Sequence, residues 1–432
     1  MRRRTPLCIS LLLVACATTA ERDPGVGSQP TLPTAKPPAI PTVNIAPAEG
    51  WHDGEMPTPA QGLQVTPFAV GLDHPRWLLV LPNGDVLVAE SNGPAGKSGI
   101  RGVKGAIMKQ VMSKAGAGTP SADRITLLRD ADGDGVAELK TAFATGLHSP
   151  FGMALIGQTL YVANADALIA TAYTPGATRA GAFRQVTSLP GKGDELNHHW
   201  TKSLIADREG RFLYVGVGSN SNVAENGMAA EKDRAAILRI DPSSGETRVF
   251  ASGLRNPVGL AWEPTTQRLW TVVNERDELG NNLVPDYLTS VTEGGFYGWP
   301  WYYWGKSRDT RVPLAEGVPP PLRPDYGLGN HVAPLGLAFS DGNALGDEFA
   351  HGAFVGLHGS WNRKPLNGYK VVFVPFQAGR PAGSPVEVLG AFLTKEGKAR
   401  GRPVGVALHR NGLLVADDVG NVVWNVRRAP RP

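Results

Sequence analysis

The sequence predicts an all-β fold, and within that class a six-bladed β-propeller. A phrase made of a proline-containing turn and a short apolar strand recurs along the 432 residues, with starts at 71, 146, 199, 253, 331 and 401. The starts lie roughly 50–80 residues apart, which leaves room for four short strands in each unit. Helical periodicity is almost absent. A pair of β-sandwiches is disfavoured as the alternative, because a sandwich would not repeat one strand–turn–strand phrase six times.

Each phrase continues through a polar turn into a second, alternating strand. In the first unit the turn is Pro82-Asn83-Gly84, and in the last it is Arg410-Asn411-Gly412. Such residues favour tight connections between antiparallel strands. We expect the strand at 422–426 and the region before residue 71 to close the ring.

The N-terminal part predicts an exported lipoprotein. Residues 1–16 combine three arginines, a short apolar stretch and a lipobox-like Leu-Val-Ala-Cys that makes Cys16 the expected lipid acceptor. An ordinary signal peptide is the alternative. Residues 17–55 are Pro-rich and predict a disordered tether, and 56–432 would form the propeller. Ala17 favours the outer membrane, so we expect a periplasmic protein held to the membrane only by its lipid.

Composition removes several function classes. The net charge is +4 with 19% charged residues, and the basic residues are scattered, which argues against a nucleic-acid partner. The chain has two cysteines, Cys8 and Cys16, and both lie in the predicted signal segment. Thiolate chemistry, disulfides and c-type haem are therefore excluded for the mature body.

An Asp/Gly-rich turn at 130–135 offers a candidate metal site. Asp130, Asp132 and Asp134 stand at alternate positions, as oxygen ligands do in Ca²⁺ loops, and Glu138 is a further candidate. The closing Glu of an EF-hand is missing. A plain turn between two strands is the alternative interpretation.

Imidazole and cationic groups start several repeats. His198 and His199 precede the third, Arg255 and Asn256 the fourth, and we expect one of the two histidines to point into the channel as a general base. Equivalent positions elsewhere hold Arg76, His331 and Arg402. Loops that start the blades meet at one rim, so together these groups predict an anionic ligand over the channel mouth.

Several motifs resemble the soluble quinoprotein glucose/sorbosone dehydrogenase family, particularly its sorbosone dehydrogenase-like branch. They are GLHSPFGMAL, LNHHWTKSL with GVGSNSN, GLRNPVGLAW, NERDELG, GGFYGWPW, HGSWNRKPLNGYKVV and GRPVGVAL with ADDVGNVVW, and they span roughly 71–426. The resemblance implies a six-bladed propeller that holds pyrroloquinoline quinone (PQQ) and Ca²⁺ at the channel mouth. It also implies oxidation of a sugar, aldose or sorbosone-like compound.

The resemblance assigns roles by position. It makes His199 the base that takes the substrate proton and Arg255 a second catalytic group. The cofactor-binding residues it implies are Arg255, Asn256, His358, Arg363 and Arg402. The loop implied to hold the cofactor Ca²⁺ is Asn274, Glu275, Arg276 and Asp277. Ser219-Asn220 replaces an acidic residue of the glucose enzymes, and the family's Gly-Pro pair is missing from the Ca²⁺ loop.

The implied activity is that of a periplasmic PQQ-dependent dehydrogenase of sugars or aldehydes. Its electrons would leave to a separate quinone or cytochrome acceptor. Tyr297, Trp299, Trp301 and Trp304 offer an aromatic wall, although packing would account for at least two of them. The alternatives are a non-catalytic propeller binding module of the cell envelope and a propeller lactonase.

Overall fold

The computed structural model describes residues 23–38, 42–94, 113–192, 195, 197–340, 342, 344–410 and 412–430. Within them, six antiparallel sheets are arranged in a ring, which confirms the predicted six-bladed β-propeller. The lipidation site Cys16 and the signal segment lie outside the described residues.

The first three strands are β1 (Val26–Gly27), β2 (Thr58–Pro59) and β3 (Leu63–Val70). Blade 1 contains β4 (Pro75–Val80), β5 (Val86–Glu90), β6 (Arg124–Arg129) and β7 (Leu139–Ala144). Blade 2 contains β8 (Met153–Ile156), β9 (Thr159–Ala163), β10 (Ala167–Ala172) and β11 (Arg184–Ser188). Blade 3 contains β12 (Lys202–Ala206), β13 (Leu213–Val217), β14 (Ala236–Ile240) and β15 (Thr247–Ser252).

Blade 4 contains β16 (Pro257–Trp262), β17 (Leu269–Val273), β18 (Pro285–Ser290) and β21 (Tyr326–Asn330), with the ribbon β19 (Tyr302–Tyr303) and β20 (Ser307–Arg308) inserted before β21. Blade 5 contains β22 (Pro334–Phe339), β23 (Gly352–Leu357), β24 (Lys370–Gln377) and β26 (Val386–Gly390), and β25 (Arg380–Pro381) pairs with β24. Blade 6 contains β27 (Pro403–His409), β28 (Gly412–Asp417) and β29 (Val422–Arg428). Short helical turns lie at Ser113–Ala117, Met228–Glu231 and Asp347–Phe349.

The ring closes through a strand from the other end of the chain. β3 pairs antiparallel with β29 and becomes the outer strand of blade 6, with Val65 opposite Val426. This confirms the sequence-based expectation that 422–426 and the region before residue 71 close the ring. The closure leaves no blade edge open at the joint.

The repeated Pro-x-Gly of the phrase marks where neighbouring inner strands touch. A Cβ on Gly152 would overlap the backbone of β12, and a Cβ on Gly336 would overlap the carbonyl of Val404 in β27. Gly259 and Gly405 face the next inner strand in the same way. Glycine is required because the two backbones approach too closely for any side chain.

The hydrophobic core is divided among the boundaries between blades. Six buried clusters occur in the described residues, one for each pair of neighbouring blades. At the boundary of blades 5 and 6, for example, Phe354 and Phe373 share a cluster with Val415 and Trp424. Each blade is therefore apolar on both faces and depends on its neighbours for stability.

Within the predicted tether over 17–55, the structure describes residues 23–38 and 42–55. Residues 23–38 and 42–55, called the arm below, lie against the propeller. β1 adds a fifth strand to blade 4, and Ala46 is fully buried in the cluster between blades 5 and 6. The Pro-rich composition did predict little internal secondary structure, but it hid the partners that another part of the chain supplies. Among the described residues, no helix has the length and apolarity that crossing a membrane requires.

Candidate functional site

The residues predicted to meet at one rim do lie on one face of the propeller. In an antiparallel blade, the start of the first strand and the end of the second strand share an edge. Loops before β12, β16, β22 and β27 therefore lie beside the loops after β13, β17, β23 and β28. Hydrogen bonds between the two kinds of loop, such as His199 to Ser219 and Arg255 to Glu275, place these residues together.

His199 is held as a neutral imidazole with one nitrogen available. Its Nδ1 lies 2.7 Å from the carbonyl oxygen of Ser219 and 3.1 Å from Oγ of the same residue. A carbonyl can only accept, so Nδ1 carries the proton and Nε2 carries a lone pair. Burial holds the pKa of His199 well below its usual value, and the neighbouring His198 and Arg255 lower it further. The ring can accept a proton at neutral pH, as a general base must.

Gly218 makes room for His199. A Cβ at Gly218 would overlap the side chains of both His199 and Asn256. His198 stacks edge-on against His199 with 4.5 Å between ring centroids, and burial followed by the charge of Arg255 lowers its pKa to about 4. The two imidazoles are therefore both neutral at pH 7, which removes repulsion from Arg255.

Arg255 is a buried clamp on the loop after β17. Its Nη1 donates to the carbonyl of Glu275 at 2.7 Å, and its Nη2 lies 3.1 Å from Oδ2 of Asp277. Its Nε and Nη2 also donate to the carbonyl and side-chain oxygens of Asn222. The residue is 3% exposed. These contacts use the donors of the guanidinium on protein oxygens, so its direct role here is to fix Asp277 and the loop.

Asp277 joins blades 4 and 5. Its Oδ1 accepts a hydrogen bond from Nδ2 of Asn362 at 2.6 Å and lies 3.7 Å from Nδ1 of His331. Burial alone would raise the pKa of the Asp277 carboxyl, but Arg255 and then His331 hold it below its usual value. Burial likewise opposes the charge on His331, yet Asp277 raises the pKa of that imidazole above its usual value. The result is a buried network of opposite charges.

The loop Asn274–Asp277 directs its carbonyl oxygens toward arginines. Glu275 O accepts from Arg255, and Asp277 O accepts from Nη1 of Arg311 at 3.0 Å. The Arg276 side chain is fully buried and pairs with Glu275 and Asp309. The side chain of Asn274 donates to Pro334 O at 2.8 Å. This geometry differs from the predicted calcium loop, because a guanidinium occupies the position next to these carbonyls.

The acidic turn lies on the opposite face of the propeller. Asp130, Asp132, Asp134 and Glu138 bring carboxylate oxygens within 4.8 Å of one another in the connection between β6 and β7. In the part of the chain that the structure describes, no other group of three or more acidic, His or Cys residues has its ligand atoms all within 4.8 Å of one another. The Asp130 carboxylate also accepts backbone hydrogen bonds from Gly133 and Gly135, and these bonds stabilise the turn.

A second ionic cluster occupies the junction of blades 5, 6 and 1. Oδ2 of Asp418 accepts hydrogen bonds from Nη1 of Arg76 and, at 2.9 Å, from Nε2 of His358, and it lies 3.5 Å from Nε2 of His74. Although burial would raise the pKa of the Asp418 carboxyl, His358, His74 and Arg76 keep it far below its usual value. Burial lowers the pKa of His358 to about 4 against the pull of Asp418.

Arg402 stands apart from these pairs. It is 3% exposed, and its Nη2 donates only to neutral groups, Ala46 O at 3.1 Å and Tyr369 OH at 3.4 Å. Its Nε is buried without a hydrogen-bond partner. In the described residues no carboxylate comes within ion-pair distance of it. A buried guanidinium without a counter-ion fits an anionic ligand.

The remaining predicted residues are divided between the site and its surroundings. The Oδ1 of Asn256 is buried without a hydrogen-bond partner, as a residue awaiting a ligand donor would be. Arg363 lies outside the cluster, since its guanidinium donates to Asn281, Asn282 and Pro365. Of the four aromatic candidates, Tyr297, Trp299 and Trp304 are buried, and only Trp301 is partly exposed.

Sequence reasoning missed three polar residues. Asp418, Asn222 and Asn362 connect the predicted groups to one another. Their positions in the repeat could have identified them, since each lies in the loop that follows the second strand of its blade. Residues at that position lie beside a blade-starting loop, because the end of the second strand and the start of the first share an edge of the blade.

Comparison with known proteins identifies the family. A model of the TrAA12-like family matches residues 57–287 and 321–429. The chain belongs to this family. The family matches cover most of the propeller, and the interval between them contains the β19–β20 ribbon.

Two curated relatives match over part of their length. A PQQ-dependent pyranose dehydrogenase of Coprinopsis cinerea is 24% identical over 436 residues, covering 86% of this chain and 55% of the relative. An uncharacterised protein of Borreliella burgdorferi is 31% identical over 246 residues, covering 55% of this chain and 62% of the relative. The TrAA12-like chain thus spans little more than half the length of these curated relatives.

Solved structures share the fold. The PQQ domain of the Coprinopsis cinerea pyranose dehydrogenase in its holo form superimposes with a TM-score of 0.67 at 21% identity, covering 89% of this chain and all of that one. The PQQ-bound aldose sugar dehydrogenase of Streptomyces coelicolor gives a TM-score of 0.54 at 18% identity, covering 86% of this chain and 99% of that one. At these identities the likeness establishes the six-bladed fold.

Proposed function

We propose that this protein is a PQQ-dependent dehydrogenase that oxidises a sugar, an aldose or a related aldehyde. The observation that carries the proposal is Arg402, a buried guanidinium with an orphaned Nε and no carboxylate beside it. PQQ bears three carboxylates, and arginine is the side chain best suited to pair with them. The names of the relatives, which include pyranose and aldose sugar dehydrogenases, support the same class.

The residues present fit such a ligand. His358, Arg76 and Arg402 meet around blade 6, and Asn256 presents an unsatisfied buried oxygen near His199. When bound, PQQ supplies the acceptor for the electrons that the substrate loses. The protein's part is to orient the two molecules and to handle the proton.

His199 is the group that handles the proton. Its Nδ1 is committed to Ser219, so Nε2 is the nitrogen that accepts the proton of the substrate hydroxyl. The Arg255–Asp277 pair holds the loop opposite the base in place. Because these charged groups are already held in place, they do not have to reorient during the reaction.

We include Ca²⁺ in the proposal because the motifs resemble those of a family that holds Ca²⁺ together with PQQ. The loop Asn274–Asp277 would have to release carbonyls from Arg255 and Arg311 in order to coordinate Ca²⁺. The turn at Asp130, Asp132 and Asp134 offers a second set of oxygen ligands, far from the base. Periplasmic location, a lipid on Cys16, a sorbosone-like substrate and a separate quinone or cytochrome acceptor remain predictions.

The lactonase alternative is less well supported. It needs carboxylate and amide ligands grouped in the channel. In the described residues the only group of three or more His, Cys or carboxylate ligand atoms within 4.8 Å of one another lies at 130–138, on the other face. On the site face, the carboxylate of Asp277 is paired with Arg255. A non-catalytic binding module with an anionic ligand would account for Arg402, but it would give no role to the neutral imidazole of His199.

The experiment is reconstitution of the purified protein with PQQ and Ca²⁺, followed by reduction of an artificial acceptor in the presence of a panel of sugars and aldehydes. We expect His199→Ala to lower turnover by about 10²–10⁴-fold while PQQ affinity is retained. The matched control is His351→Ala, because His351 is exposed and lies on the other side of blade 5. Failure of the unaltered protein to bind PQQ would overturn the proposal.

A further inference from the structure

The arm follows the rim of the same face as the candidate site. Its backbone contacts run from the loop after β17, where Lys36 N donates to Leu279 O at 3.0 Å, to the loop after β23, where Asn44 N donates to Trp361 O at 2.8 Å. Further along, Glu49 N donates to Ala399 O at 2.8 Å. The arm thus crosses from blade 4 to blade 6 over the loops that carry the predicted cofactor residues.

Trp51 anchors the arm through ring packing and a hydrogen bond. Its indole packs edge-on against Phe392 and Trp424, with ring centroids 5.5 and 5.4 Å apart. Its Nε1 donates to Oδ2 of Asp417 at 2.7 Å. A Cβ on Gly420 would overlap the Trp51 ring, so glycine is needed to seat it. Trp51 is partly buried, and an aromatic ring that packs on others and has its N–H satisfied is a common form of energetic anchor.

The anchor is connected to Arg402. Oδ1 of Asp417, the carboxylate that holds Trp51, accepts the backbone N–H of Arg402 at 2.8 Å. The carbonyl of Ala46, a fully buried residue of the arm, accepts from Nη2 of Arg402 at 3.1 Å. The arm therefore supplies one of the two hydrogen-bond acceptors of the guanidinium and supports its backbone as well.

The arm also holds the loop after β23. Nδ2 of Asn44 donates to the carbonyl of Arg363 at 2.6 Å. The neighbouring Asn362 donates to Asp277, so the contact reaches the Arg255–Asp277 pair through one intervening residue. The arm therefore contacts two separate groups of the site, Arg402 and the loop that carries Asn362.

We propose that the arm is a positioning element of the ligand-binding face. Trp51 fixes the arm, and the Ala46 carbonyl sets the orientation of the Arg402 guanidinium toward a carboxylate-bearing quinone. This inference rests on the proposed function. It assigns a role to a segment whose composition indicates only a spacer.

The test compares full-length variants by calorimetric titration with PQQ in the presence of Ca²⁺ and by hydrogen exchange of residues 42–55. We expect Trp51→Ala to expose the arm to exchange and to weaken PQQ binding by at least about tenfold, the size of effect for a misplaced charged hydrogen-bond donor. Trp51→Phe keeps the ring but removes the donor to Asp417, and we expect a loss of about threefold. If Trp51→Ala does not fold, the PQQ affinity of Trp51→Phe decides the test.

Trp262→Phe is the matched control. Trp262 is also partly buried, donates from Nε1 to a carbonyl at 2.7 Å, and packs on a ring at 5.4 Å, but it lies at the end of β16 away from the site. PQQ affinity should be unchanged in this variant. Faster exchange of the arm with unchanged PQQ affinity in Trp51→Ala would overturn the proposal. Absence of PQQ binding by the unaltered protein would instead overturn the proposed function, and the arm's role in affinity with it.

Discussion

Oδ2 of the buried Asp418 carboxylate lies 2.9 Å from Nε2 of the partly buried His358 imidazole. The same oxygen accepts from Arg76, so one charge from blade 6 organises groups of blades 5 and 1. The Asp418 side chain is 2% exposed, which makes its removal costly.

Asp418→Asn should lower the free energy of unfolding by about 3 kcal/mol, because the buried Arg76 loses its carboxylate. The measurement is urea unfolding followed by fluorescence. Asp132→Asn removes an exposed carboxylate and should change stability little. Equal stability of Asp418→Asn and the unaltered protein would show that the charge of Asp418 is not needed.

Asp277→Asn should also destabilise the protein, by about 3 kcal/mol, since Arg255 is buried and loses its charged partner. The matched control is Glu293→Gln, which breaks an arginine–carboxylate pair whose side chains are 51% and 58% exposed. Exposed pairs contribute less than about 1 kcal/mol, so this variant should unfold near the same denaturant concentration. If both variants lost the same stability, burial of the Asp277 pair would not be the cause.

The pH dependence of activity follows from His199. Burial keeps its pKa well below the usual value, so the imidazole is neutral and able to accept a proton throughout the neutral range. Activity should therefore be flat through neutral pH and fall only under acidic conditions, below the usual pKa of histidine. The measurement is kcat/KM against pH. An acidic limb centred at or above the ordinary histidine pKa would contradict the assignment of His199 as the base.

Gly336→Ala tests the contact between inner strands. A Cβ at Gly336 would overlap the carbonyl of Val404, and overpacking of this kind costs about 1–3 kcal/mol. Gly342→Ala is the control, because a Cβ there would meet no atom within 4 Å. Thermal unfolding distinguishes the two, and an unchanged midpoint for Gly336→Ala would mean that the strands can separate at no cost.

The sequence predicted the elements that repetition makes visible. The six phrases identified the blades, and the polar residues that start them were correctly expected on one face. The directions in which the loop carbonyls point were harder to predict. The carbonyls of Glu275 and Asp277 face Arg255 and Arg311, and Arg311 comes from a distant turn.

The arm and Arg363 show a second limit. Many of the arm's contacts are backbone hydrogen bonds, and the side chains that add to them, such as Asn44 and Trp51, follow no periodic pattern in the sequence. Arg363 is adjacent to a site residue, Asn362, yet its side chain turns toward Asn281 and Asn282. Neighbouring positions in a loop can point in different directions, so sequence proximity alone did not define the site.

The pairing of β3 with β29 has a consequence for how the molecule is made. Residues 63–70 leave the ribosome early but lack their partner until residues 422–428 have been synthesised. Pairing β3 with β29 therefore closes one of the longest loops in the chain. Closing this loop costs more conformational entropy than forming the short hairpins within the blades. Until that joint forms, the apolar boundary between blades 6 and 1 stays open to water and to other chains.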